Sequence, residues 1–263
     1  MKRKKLFERI SIRNLEVRNR IVLAPLNLSN MYPPIEGTIP QRVIDYYVER
    51  TKGGVGLIIT GVSKVENEIE NYQKDNVRIW PMITPSALPG LSELADRIHS
   101  LGGRIFVQLT AGPGRVAKGD VIDSGFTPVS ASPNPAYFRP NVTCRELKTG
   151  EVDRMVEAFG RAAQMVAAVG IDGVEIHGHE GYLIDQFITA LWNKRNDKYG
   201  GDLMGRLRFP IEILRVIRKT VGDNFPVTFR VGIKHFIREP WKSSLKWEGF
   251  VEAGRDVDES IEV

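Results

Sequence analysis

Four side chains able to do acid–base chemistry fall within six residues: His177, His179, Glu180 and Tyr182. They lie in the run DGVEIHGHEGYLIDQFITALWNKRNDKYGG, Asp172 to Gly201, whose apolar opening predicts a buried strand over Gly173 to Ile176. The four residues then follow just past the C-terminal end of that strand. In a parallel α/β barrel that end is where chemistry is done. An imidazole pair, a carboxylate and a phenol placed there suit polarisation of a substrate and delivery of a proton. Each residue alone has a plainer reading. A histidine after a strand is commonly a satisfied polar group, and a tyrosine in an amphipathic helix is commonly packing. It is the cluster at one strand end that points to chemistry. The His-x-His spacing also raises metal binding. No second ligand group is evident, and the four histidines are His99, His177, His179 and His235, so no metal site is assigned.

The elements that must position this cluster alternate as strand and helix. Residues 10 to 18 read as a short hairpin turning at Arg13-Asn14, a plug or lid ahead of the first barrel strand. Strands are expected over Arg20 to Ala24, Val55 to Thr60, Arg104 to Leu109, Gly173 to Ile176 and Pro226 to Val231. The second is apolar on both faces, as a parallel strand covered by helices should be. Helices are expected at about Pro40 to Lys52, Ala87 to Leu101, Gly150 to Val169 and Leu207 to Val221. The first presents Val43, Ile44, Tyr47 and Val48 on one face, and the third Val152, Val156, Phe159, Ala163 and Val166. Residues 110 to 148 are rich in Gly, Pro and Ser and read as a long loop, which in a compact domain is usually functional. The final residues, Asp256 to Val263, read as a capped helix start. Five strands of a type that needs eight suggest a chain cut inside a domain.

Composition bounds the function. The 263 residues suffice for a sizeable core, and 42% hydrophobic and 26% charged content are ordinary for a globular protein. A single cysteine, Cys144, excludes an internal disulfide framework and a cysteine-ligated cluster within this chain, and fits a reducing cytoplasm. No apolar run reaches the roughly 18 residues that span a bilayer. The basic start, Met1 to Lys5, leads into Leu6-Phe7-Glu8-Arg9 and not into an apolar segment, so no signal peptide is read. The net charge of +5 mildly favours anionic ligands such as phosphates, carboxylates or thioesters of a nucleotide carrier. It is too small and evenly spread to argue for nucleic acid. The Lys2 to Lys5 run reads as a solvated end.

Five stretches in order carry a resemblance: LFERISIRNLEVRNRIVLAPLN (6 to 27), DYYVERTKGGVGLIITG (45 to 61), GGRIFVQLTAGPGR (102 to 115), the segment quoted first, and FPVTFRVGIKHF (225 to 236). Together they resemble the flavin-dependent ene-reductases of the old yellow enzyme group, in particular its 2-enoate reductase and 2,4-dienoyl-CoA reductase branch. The resemblance implies a TIM (β/α)8 barrel of the FMN-linked oxidoreductase type. Residues 1 to 263 would be the N-terminal portion of one such FMN-binding domain, truncated after about five strands. The implied reaction is reduction of the C=C bond of an α,β-unsaturated carboxylate, thioester or enone, with electrons from NAD(P)H.

The resemblance also implies roles. Ala24, Pro25, Leu26 and Asn27 would run beside the isoalloxazine of FMN, with backbone groups and the Asn27 side chain near O4 and N5. Gly61 would let backbone approach the ring. Gln108 would donate and accept at the pyrimidine edge. Arg230 would set a permanent cation near N1 and O2, where reduction places negative charge. Tyr182 matches the proton donor, and His177 the first of two carbonyl-binding positions. Glu180 stands at the second, where His or Asn is common, and an ionised carboxylate cannot donate. Either His179 substitutes, or Glu180 is protonated, or Glu180 orients Tyr182. Further strands would supply the FMN phosphate loops, and in long relatives a 4Fe–4S centre and an FAD and NAD(P)H region would follow. A homo-oligomer or a completing chain is a further expectation. Two rival readings remain: another flavin barrel, such as a tRNA dihydrouridine synthase, and a catalytically incomplete fragment serving as a binding or assembly module. The first would carry a basic RNA-binding helical domain, and none is seen.

Overall fold

A computed structural model describes residues 4–28, 31–32, 38–65, 68–70, 81–239, 242–243 and 249–263. Residues 1–3 of the basic start lie outside the described residues.

Five parallel strands pair in sequence order: β1 (Val22–Leu23), β2 (Leu57–Ile59), β3 (Arg104–Thr110), β4 (Gly173–Gly178) and β5 (Val227–Val231). The sheet is curled, as part of a (β/α)8 barrel. On its convex side lie α1 (Gln41–Lys52), α2 (Leu88–Ser100), α3 (Thr149–Ala168) and α5 (Leu203–Val221); the short α4 (Leu183–Ile188) follows β4. The expected helix faces are buried: Val43, Ile44, Tyr47 and Val48 on α1, and Val152, Val156, Phe159, Ala163 and Val166 on α3. They join the outward-facing Ile58, Val107, Val174 and Ile176 in one apolar layer.

The concave face follows from the period-2 alternation of strand side chains. Its lowest level is apolar: Leu57, Ile59 and Phe106 pack on Val17, Ile10, Ile12 and Leu15. The last four belong to an antiparallel hairpin, Ile10–Ile12 with Leu15–Val17, which plugs this end as expected, with Arg13 in the left-handed region of its turn. Above that level the register sets Glu175 beside Gln108 and Thr228, and His177 beside Arg230. The interior therefore turns from apolar to polar along the strand direction.

Several boundaries differ from expectation. β4 runs on to Gly178, so His177 is a strand residue and not a loop residue. β1 spans Val22–Leu23 instead of Arg20 to Ala24, because Asn19 takes up the neighbouring backbone, its Oδ1 accepting from the Ile21 amide and its Nδ2 donating to Gly54 O. α5 begins at Leu203, capped by Asp202, whose carboxylate accepts from the Gly205 amide. The stretch 110–148 is not an open loop. It holds a helix, Gly119–Asp123, and a parallel pair, Val129–Ser130 with Arg145–Glu146. A further strand, Ser63–Val65, pairs in parallel with the end of β3, Ser63 opposite Leu109, and on its other side with Met82–Ile83. The expected terminal helix is present as α6 (Val257–Glu262), with Asp256 accepting from the Glu259 amide. Among the described residues no helix is long and apolar enough to cross a membrane.

Candidate active site

A cleft of about 130 Å³ opens at the C-terminal ends of the strands, lined by Pro25, Asn27, Val62, Gln108, His177, His179, Glu180, Tyr182 and Arg230. The titratable residues expected at the site, His177, His179, Glu180, Tyr182 and Arg230, meet here, although β2, β3 and β4 lie between Pro25 and Arg230 in the chain. Ala24 and Leu26 flank this lining in the chain without belonging to it.

Each wall has a local cause. Pro25 and Asn27 follow β1. Gly61 follows β2, and a Cβ on it would sit 2.2 Å from Leu26 O. Glycine is thus required there for the chain after β2 to close on the chain after β1. Its amide donates to Tyr47 Oη at 2.7 Å, tying that crossing to α1. Beyond β4 the chain turns through two successive left-handed residues, Glu180 (φ 57°) and Gly181 (φ 72°). A left-handed glutamate is uncommon and needs outside support. Asp185 supplies it: its Oδ2 accepts from the Gly181 amide at 2.8 Å. Tyr182 then becomes the residue that leads into α4, with its ring 4.7 Å from that of His177.

Asp185 is fully buried and meets two basic side chains of distant origin. His235 Nε2 lies 3.0 Å from Oδ2, and Arg255 Nη2 lies 3.1 Å from Oδ1. The amide of Arg255 in turn donates to His235 Nδ1 at 3.0 Å. Burial opposes the charge on Asp185, but His235, Arg255 and the Gly181 amide together hold its carboxyl below the usual range.

The electrostatics of the cleft are unequal. Burial, aided by His179 and Arg230, pushes His177 down to about 3, so it is a neutral imidazole at ordinary pH. Its Nδ1 is buried without a hydrogen-bond partner among the described residues. His179 is also lowered, by burial and Arg230, against the pull of Glu180, whose Oε1 is 3.5 Å from its Nδ1. Glu180 itself is exposed. Tyr182 is raised by burial and by Glu180, so it keeps its proton. One level below, Gln108 Nε2 donates to Glu175 Oε1 at 2.8 Å. Burial raises the Glu175 carboxyl, against Gln108, Arg230 and Thr228.

Four residues of this network were not assigned to the site from sequence: Glu175, Asp185, His235, which was noted only as one of the four histidines, and Arg255. Glu175 carried a signal, an acid two residues before His177 in an apolar strand. The other three come together only through tertiary folding.

A parallel half-barrel whose strand ends gather an amide, a guanidinium, two imidazoles and a phenol defines the class of flavin-barrel oxidoreductases. The chain belongs to the NADH:flavin oxidoreductase / NADH oxidase family, whose model matches residues 5–248. It is 46% identical over 261 residues to a cinnamate reductase of Clostridium sporogenes, covering 98% of this chain and 39% of that protein. It is 39% identical over 236 residues to an NADH oxidase of Thermoanaerobacter brockii, covering 88% of this chain and 34% of that protein. Among solved structures it resembles 2-naphthoyl-CoA reductase in complex with 2-naphthoyl-CoA, with a TM-score of 0.82 and 30% identity, covering 98% of this chain and 38% of the other. The old yellow enzyme homologue of Zymomonas mobilis gives a TM-score of 0.75 at 26% identity, covering 91% of this chain and 66% of the other. The chain thus spans well under half the length of these two curated relatives.

FMN is the flavin of this family, and the donor set of the cleft fits its ring. An amide that both donates and accepts, a permanent cation and a buried imidazole with an unpartnered nitrogen line one cavity. Pro25, Asn27, Gln108 and Arg230 are the residues that could hold the ring.

Proposed function

We propose that the protein works as an ene-reductase, reducing the C=C bond of an α,β-unsaturated carboxylate, thioester or enone with electrons from NAD(P)H. The observation that carries this reading is the meeting of a neutral His177, a protonated Tyr182 and a charged Arg230 in one cleft. Bound FMN supplies the hydride chemistry. The chain's residues hold the reactants and move the proton.

His177, being neutral, offers one N–H donor to the substrate's carbonyl oxygen without adding a charge that would have to be desolvated. Glu180, 3.5 Å from His179 Nδ1, favours the His179 tautomer that carries its proton there, which leaves Nε2 an acceptor, so His177 is the imidazole that donates to the carbonyl. Tyr182 holds the proton destined for the α-carbon, and its raised pKa keeps that proton in place until the carbanion character develops. Arg230 stabilises negative charge at the ring edge next to His177. Asn27, Pro25 and the backbone around Ala24 and Leu26 orient the ring, with Gly61 permitting the crossing that places them.

The relatives agree with this direction: one is called a cinnamate reductase, and another, from Vibrio harveyi, an NADH:acrylate oxidoreductase. A role purely in binding or assembly gives no use to a buried neutral imidazole beside a protonated phenol. The test is anaerobic incubation of the protein with FMN, reductant and an enoate or enone, following loss of the conjugated absorbance. Reduction that depends on Tyr182 supports the reading. Flavin that is reduced and then reoxidised only by oxygen, never by any of these acceptors, overturns it.

A further inference from the structure

Gln108 lines the cleft, whereas Glu175, its neighbour in the β3–β4 register, does not. The two side chains are buried, 2% and 7% exposed, and the amide nitrogen of Gln108 lies 2.8 Å from Glu175 Oε1. A glutamine amide has two senses of nearly equal shape. Only its surroundings decide whether it shows an acceptor or a donor to a ligand. An ionised carboxylate accepts and cannot donate, so it must face the NH2 end. The opposite sense would set two acceptors against each other in a buried site, at the cost of both hydrogen bonds.

We propose that Glu175 is a positioning residue whose carboxylate fixes the sense of the Gln108 amide, so that the cleft presents a carbonyl acceptor and selects a ring edge carrying an N–H donor. The selected edge is the N3–H of a flavin pyrimidine ring, a part of the inference that rests on the flavin reading above. The fixed sense of the amide does not rest on it. Thr228 and Arg230 belong to the same face, Thr228 level with Glu175 and Arg230 one step further along with His177. Burial raises the Glu175 carboxyl, and the hydrogen bond from Gln108 and the Arg230 cation act against that rise.

The experiment uses the 263-residue protein labelled with ¹⁵N, and two phosphate-free probes, lumiflavin and 3-methyllumiflavin, followed by fluorescence quenching. In the wild type, one Gln108 side-chain proton is expected far downfield and slow to exchange. Lumiflavin is expected to bind about tenfold or more tighter than the 3-methyl ring, which lacks the donor. Glu175→Gln should remove the downfield proton and lower the preference at least about threefold. Combining Gln108→Glu with Glu175→Gln restores an obligate acceptor at position 108 and should restore the preference. A thermal melt checks that each variant is folded. An unchanged preference in Glu175→Gln, or no recovery in the paired exchange, overturns the selection of an N–H edge. If the wild type binds neither ring, the flavin reading fails, and the Gln108 resonance alone decides: no downfield amide proton in the wild type overturns the positioning role. A Glu175→Gln variant that does not fold leaves the wild-type resonance and the paired exchange as the deciding measurements.

Discussion

His177 and Arg230 are register partners across β4 and β5, so an imidazole and a permanent cation share one face of the sheet at one height. Burial first, then His179 and the Arg230 cation, disfavour a charge on this imidazole. Much of the behaviour expected of the site follows from this pairing.

The first prediction concerns acid stability. The folded pKa of His177, about 3, lies below the ordinary value of 6.5. The unfolded chain therefore binds the extra proton between those values. The contribution of this group is fully present above pH 6.5 and is lost as the pH falls toward 3. At pH 5 the loss from His177 alone is about 2 kcal/mol. Urea titrations at pH 7.5 and 5 should show a smaller drop in His177→Asn than in the wild type. An equal drop in both would mean that the imidazole is charged in the folded protein.

Tyr182→Phe keeps the ring that packs on His177 and removes the acid. Flavin reduction by the nicotinamide should persist, while reoxidation by an enoate should slow by about 10²-fold or more. Stopped-flow absorbance of the flavin band separates the two half-reactions. Undiminished reoxidation would take Tyr182 out of the proton path.

Arg230→Met should weaken flavin binding about tenfold or more, the weight of a hydrogen bond to a charged group. It should also lower the reduction potential of the bound ring, since the reduced anion loses its counter-charge. The same change removes one of the influences that oppose the upward shift of the Glu175 carboxyl. Potentiometry on the loaded variant checks the direction, and an unmoved potential would place the N1 edge of the ring elsewhere.

Asp185→Asn should destabilise the fold by about 3 kcal/mol, because a fully buried Arg255 is left without its carboxylate. Two further nitrogens of Arg255 already lack partners among the described residues, which leaves Asp185 as its one carboxylate partner there. Adding Arg255→Met to Asp185→Asn should return part of that stability. Chemical denaturation of the two variants tests the coupling, and strictly additive losses would show that the pair does not interact.

The architecture was legible in the sequence where burial is two-sided or strictly periodic. The apolar runs at 57–59 and 104–109 and the faces of α1 and α3 are of this kind. The members of the cleft were legible too, because they lie at strand ends next to such runs. What stayed hidden depends on partners far along the chain. Polarity alone ends β4 at Ile176, but the ladder to β5 carries it through His177 and Gly178. The start of α5 was obscured by Gly205 and Pro210, two weak helix formers, although the Asp202 cap compensates. No local pattern joins Asp185 to Arg255 across 70 residues.

The double left-handed turn at Glu180 and Gly181 has a consequence for transplanting this chemistry. The backbone that leads into Tyr182 takes an uncommon path, and it is held by the carboxylate of Asp185, which accepts from the Gly181 amide. Grafting the tyrosine alone onto another barrel would therefore deliver a phenol without its aim. The unit to be moved is the whole run from His179 to Asp185, together with a cationic partner for the buried acid.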